Sequence, residues 1–138
     1  KPVKAEAESI YCFNARRRGG RSREIQIQGS QTLGELDIAM REAFNHDWAD
    51  HLSEFYRGER WPTGGLGEIE PMGGGSGSDK LIRNLRLKVG DRIGYIYDFG
   101  DMLHHTLTLE AIVTPEAGVE YPRTIVKEQP KPRQKRPN

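Results

Sequence analysis

One cysteine, Cys12, stands in 138 residues. That excludes an internal disulfide and a zinc site built from several cysteines. Cys12 sits in an apolar segment and reads as a core residue. No apolar run approaches the roughly 18 residues of a membrane-crossing helix. Lys1-Pro2-Val3-Lys4 lacks the apolar centre of a signal peptide, so cytoplasmic residence and no membrane partner are expected. Internal repeats are absent. A phosphate loop is absent too: the glycine-rich stretch runs into Lys80-Leu81, not Gly-Lys-Ser/Thr, and no helix start follows it. A nucleophile elbow and a helix-turn-helix are also missing, which disfavours a serine hydrolase and a recombinase with its own DNA-binding unit.

What is present is charge, unevenly spread. Charged residues make up 30% and hydrophobic ones 35%, a polar but globular composition for one domain with tails. The net charge of +1 conceals a division. Arg16, Arg17, Arg18, Arg21 and Arg23 stand together with no acid among them. The last twelve residues carry Lys127, Lys131, Arg133, Lys135 and Arg136 against Glu128 alone. Between these basic groups, seventeen acids face nine Lys and Arg over residues 24–123, a net charge of −8. Basic extremities on an acidic body can hold a polyanion by counterion release; they can equally serve solubility alone.

Local patterns predict an α+β domain. Ser9–Asn14 is rich in β-formers, and Glu24–Gln28 alternates with Ile25 and Ile27 on one side. Gly19-Gly20 between them signals a turn, which makes a hairpin with an arginine-rich tip. Thr32-Leu33-Gly34-Glu35 is a capping box, followed at helical spacing by Leu36, Ala39, Met40, Ala43 and Phe44. The helix is expected over Leu33–Phe44. A short strand is expected at Leu52–Arg57. Trp61–Asp79 holds seven glycines and reads as a long flexible loop, with residues 62–79 at its centre. Leu85, Leu87 and Val89 alternate before a turn at Gly90-Asp91. Strands are expected at Arg92–Tyr97 and Thr106–Ile112, with an edge segment at Val119–Arg123. Residues 1–8 form an extension, 9–126 the domain, and 127–138 a basic, proline-rich tail. Hairpin, helix, then antiparallel strands is an order like that of a β-grasp.

Tyr97-Asp98-Phe99-Gly100-Asp101, a short gap, His105 and Leu107-x-Leu109-Glu110 resemble the signature of the Ri-plasmid open-reading-frame-three family. This is a plasmid- and transposon-associated family, some of whose members bear a resolvase label. Arg23-Glu24-Ile25, Thr32-Leu33-Gly34-Glu35-Leu36, Ala43-Phe44-Asn45, His51-Leu52-Ser53-Glu54-Phe55 and Tyr121-Pro122-Arg123 agree in order. The resemblance covers about Ile10–Arg123 and implies an α+β domain. It departs from the family where Asp-Trp is usual: Met102-Leu103 stand there, followed by an extra His104. The cysteines common in the family's C-terminal extension are replaced by Pro, Lys and Arg.

Two functions compete. In the first, a non-catalytic binding or scaffold module without a cofactor contacts nucleic acid. Its contacts would be Arg16, Arg17, Arg18, Arg21 and Arg23 of the loop and Lys131, Arg133, Lys135 and Arg136 of the tail. In the second, Asp98, Asp101, His104 and His105, joined by His51, hold a divalent metal and activate water as a hydrolase or nuclease. Against the second, His104 and His105 must face opposite ways on a strand. Asp98 and Asp101 can instead accept from turn amides that a left-handed Gly100 permits, with His105 paired to a carboxylate and Phe99 anchored in the core. His46 and His51 flank Trp48; the expectation is that Trp48 packs and both histidines are exposed. Arg57, Arg60 and Trp61 offer a weaker base-stacking surface.

Overall fold

The computed structural model describes residues 8–46 and 51–126. Seven strands form one sheet: β1 (Ile10–Arg17), β2 (Ser22–Gln28), β3 (Ser53–Tyr56), β4 (Gly65–Ile69), β5 (Arg92–Tyr97), β6 (Leu103–Val113) and β7 (Arg123–Ile125). Their order across the sheet is β4-β3-β5-β6-β1-β2-β7, and every neighbouring pair is antiparallel. The helix α1 (Leu33–Ala43) covers one face. The α+β reading holds. Among the described residues, no helix is long and apolar enough to cross a membrane.

The helix starts where its sequence demands. Thr32 Oγ1 accepts from the Glu35 amide at 3.2 Å, and Glu35 Oε1 accepts from the Thr32 amide at 3.1 Å. It also stops for a local reason. Asn45 takes a left-handed φ of 56°, its amide donates to the Glu42 carbonyl at 3.3 Å, and the His46 amide donates to the Arg41 carbonyl at 2.8 Å. This double closure satisfies two terminal carbonyls and turns the chain back under the helix, delivering His46 to the sheet.

Leu33, Leu36 and Met40 are fully buried against Phe13, Ile25, Ile27, Phe55, Leu107 and Leu109. These strand positions alternate, so the opposite face carries Asn14, Arg16, Arg92, Thr106 and Thr108, and α1 does not lie over it.

Three local readings change. The glycine-rich stretch contains β4, and its later half folds back on that strand's outer edge: Gly77 donates to Glu68 at 3.0 Å and Glu70 to Gly74 at 2.8 Å. Gly75 makes this close return feasible, with φ 101° and a backbone against which any Cβ would collide with the Glu68 carbonyl. Ile82–Leu85 form a 3-10 turn in place of the start of an alternating strand; Leu85 and Leu87 are buried, but Val89 is exposed. The closing edge strand lies at Arg123–Ile125, slightly later than expected, and pairs with β2.

Candidate functional site

The signature turn between β5 and β6 is built by its own carboxylate. Asp98 Oδ1 accepts from the Gly100 and Asp101 amides at 3.0 and 3.3 Å. The left-handed residues are Asp98 (φ 66°) and Met102 (φ 55°), not Gly100 as expected. Asp is one of the few side chains that tolerates this conformation, because it bonds locally to the backbone. Asp98 Oδ2 lies 3.4 Å from His51 Nδ1, so His51 does reach the motif. Asp101 is exposed at the tip. Phe99 is half-buried and packs on Trp61 at 4.8 Å, outside the main core.

His104 and His105 occupy opposite faces of β6, as strand geometry requires. His105 is buried under α1, and its partner is not a carboxylate but His46: the two Nε2 atoms are 2.9 Å apart. His105 Nδ1 faces the Tyr95 carbonyl at 3.3 Å. A carbonyl only accepts, so the His105 proton belongs on Nδ1, and its Nε2 accepts from His46 Nε2–H. His46, expected to be exposed, is buried and lies flat on Tyr97 with ring centroids 4.4 Å apart. Burial lowers both imidazoles to about 4, helped by Arg17 and Arg41 near His46 and by His46 near His105. Both are neutral at pH 7. Trp48 lies outside the described residues.

Beside this pair is a polar cluster that sequence reasoning missed. Asp37 Oδ1 accepts from Ser53 Oγ and Tyr95 OH, both at 2.6 Å, and the Asp37 carboxylate holds Arg41 Nε at 2.9 Å. Arg41 Nη2 donates to Ser53 Oγ at 3.0 Å, and its guanidinium lies over Tyr97 at 4.9 Å. Burial opposes the charge on Arg41, but Asp37, with Tyr95 and Tyr97, outweighs it and raises its pKa; burial and Asp37 together push the Tyr95 phenol well up. The signal was present: Asp37 and Arg41 stand four apart inside the apolar stripe of Leu33, Leu36 and Met40. Asp37, Arg41 and Ser53 are each at most 1% exposed. The cluster binds helix to sheet.

Asp98, Asp101, His104 and His105 therefore do not converge. Among the described residues, no group of three His, Cys, Asp or Glu is placed to hold a metal ion.

The arginine hairpin is more open. Arg16, Arg17, Arg18 and Arg21 are exposed, and none of them has an ion pair among the described residues. Arg23 is half-buried and donates to the Ser22 carbonyl at 2.9 Å. The strand divides these charges. Arg17, Arg21 and Arg23 line a cleft of about 240 Å³ with Phe44 and Asn45 at the end of α1. Arg16 pairs with Thr106 in the β1–β6 register, and Arg18 donates its amide to the His104 carbonyl at 2.9 Å. Lys131, Arg133, Lys135 and Arg136 lie outside the described residues.

Residues 21–134 match the model of the plasmid pRiA4b ORF-3-like protein family. The match runs from the hairpin tip through β7 and leaves β1 outside. No curated protein matches the chain. A crystal structure of a protein of unknown function from Methanosarcina mazei Go1 is similar at 26% identity and a TM-score of 0.65, over 85% of this chain and 68% of that one.

Proposed function

The chain belongs to the plasmid pRiA4b ORF-3-like family, and from that premise we propose that it is a non-catalytic binding module that contacts nucleic acid through phosphate neutralisation. The observation that carries this reading is the hairpin: Arg16, Arg17, Arg18 and Arg21 are exposed without a carboxylate partner among the described residues. An exposed guanidinium with no internal partner is a ready donor to a phosphate oxygen. The acidic body repels a polyanion from the rest of the surface and so favours contact at the basic elements. Lys131, Arg133, Lys135 and Arg136 add charge of the same sign in the tail. A hydrolase or nuclease centred on Asp98, Asp101 and His105 gains no support from their separation.

Filter binding of mixed DNA and RNA at two salt concentrations tests the proposal. Affinity should fall steeply with salt. Replacing Arg16, Arg17, Arg18 and Arg21 together by Gln should weaken it by at least about tenfold at low salt. Affinity that is absent, or indifferent to both salt and substitution, overturns the reading.

A further inference from the structure

The face of the sheet opposite α1 holds a recess of about 570 Å³, in the size range of small-ligand sites. Its floor follows from one missing side chain. Tyr56, Gly94 and Thr106 share a cross-strand row over β3, β5 and β6, and Arg16 continues it on β1. A Cβ at Gly94 would run into the Tyr56 ring; without one, the ring lies across β5. Arg92 stands two residues before Gly94 on β5, and Arg18 stands one row beyond Thr106. The two arginines thus approach the row of Tyr56, Gly94 and Thr106 from its two sides, and both line the recess.

Neither Arg18 nor Arg92 has an ion pair among the described residues. Thr106 is exposed. Burial raises the Tyr56 phenol, which keeps it protonated and a donor. Two carboxylates, Glu59 and Asp91, also line the recess, but Asp91 Oδ2 accepts from the Lys88 amide at 2.9 Å and serves its own turn. Beside Arg18, His104 retains a buried Nδ1 with no hydrogen-bond partner. The recess therefore collects several donors, and its two arginines stand beside Glu59 and Asp91 without an ion pair to either among the described residues.

We propose that this recess is the phosphate subsite of a single-stranded nucleic acid, with Arg18 and Arg92 clasping one phosphodiester and the Tyr56 and Thr106 hydroxyls donating to it. The proposal rests on the nucleic-acid reading above and deepens it. It moves the centre of binding from the hairpin tip to the sheet face. A single strand suits this place because one nucleotide unit fits the recess and an unpaired base is free to turn onto the neighbouring His104 ring. A duplex keeps its bases stacked inside and gains only the outer arginines.

Fluorescence anisotropy with labelled dT12, alone and paired with dA12, provides the test at two salt concentrations. The variants are Arg92→Gln, Thr106→Val and the double variant Arg17→Gln/Arg21→Gln, each checked by thermal melting. Arg92→Gln should weaken dT12 binding about fivefold to tenfold and reduce the salt slope by about 0.7, one phosphate on a single strand. Thr106→Val should lower affinity without changing that slope. In NMR spectra, the Gly94 and Thr106 amides should shift on adding dT12. If Arg92→Gln and Thr106→Val bind like the wild type while Arg17→Gln/Arg21→Gln loses affinity, the recess is overturned and the binding function stands. Duplex binding as tight as that of dT12 also overturns it. If the wild type binds neither form, both proposals fall.

Discussion

His104 and His105 are consecutive, yet one sheet sends them to two different environments. On the helix-covered face, His105 meets His46, and Asp37, Arg41, Ser53 and Tyr95 satisfy one another. On the opposite face, Arg16, Arg18 and Arg92 form no ion pair among the described residues. A buried polar group must find its partner within the fold, because desolvation is costly. An exposed one can wait for a partner from outside. The most intricately bonded residues of this chain are thus its structural ones, and the unbonded ones carry the functional case.

The largest expected effect lies under the helix. Asp37→Ala removes the counter-charge of a buried guanidinium and should cost about 3–5 kcal/mol in a urea melt. A loss below about 1 kcal/mol would show that water reaches Arg41 and that the covered face is not closed.

Acid should attack the same face. Unfolded histidines titrate near 6.5, whereas folded His46 and His105 titrate at about 4. Above pH 6.5 neither state takes up a proton on them and their contribution to stability is intact. As pH falls from 6.5 to 4 the unfolded chain gains protons that the native state refuses, and stability drops by about 3 kcal/mol for one such histidine. Below 4 the loss levels off. Denaturant melts across this window should show the slope, and His46→Gln should flatten it; an unchanged slope would sink the assignment.

Gly94→Ala turns the comparison to the open face. The new methyl displaces the Tyr56 ring and should cost about 1–3 kcal/mol, with a parallel loss of dT12 affinity. A neutral outcome in both measurements would mean that the Tyr56 ring is not fixed there. The smallest effect belongs to Arg92→Gln, which should change stability by less than about 0.5 kcal/mol. A larger change would reveal a structural partner for Arg92 and blur the distinction between the faces.

Much of the fold was legible because its signals are local. Thr32 and Glu35 announce the helix within four residues, and alternation in Glu24–Gln28 and Arg92–Tyr97 announces strands. β4 was hidden because glycines have no side-chain pattern to read; its identity rests on backbone pairing with β3. The buried cluster was hidden for another reason. Asp37 and Arg41 look like surface residues until Ser53 and Tyr95, from distant strands, are brought to them. His46 was misjudged because its burial depends on how the chain reverses at Asn45. Among the candidate contacts, the hairpin arginines were visible as a run. Their division between two faces, and the company of Arg92, Tyr56 and Thr106, required the register of four strands.

The seam between β1 and β6 has a consequence for how the molecule is made. Phe13 faces Leu109, ninety-six residues later, whereas each of the hairpins β1–β2 and β5–β6 closes over a short span. Ribosomal synthesis delivers β1 long before its central neighbour. Until β6 emerges, β1 presents a bare apolar edge, Ile10-Tyr11-Cys12-Phe13, that any passing strand can join. The central seam closes only once β6 has been made, and β7 then joins the edge beside β2.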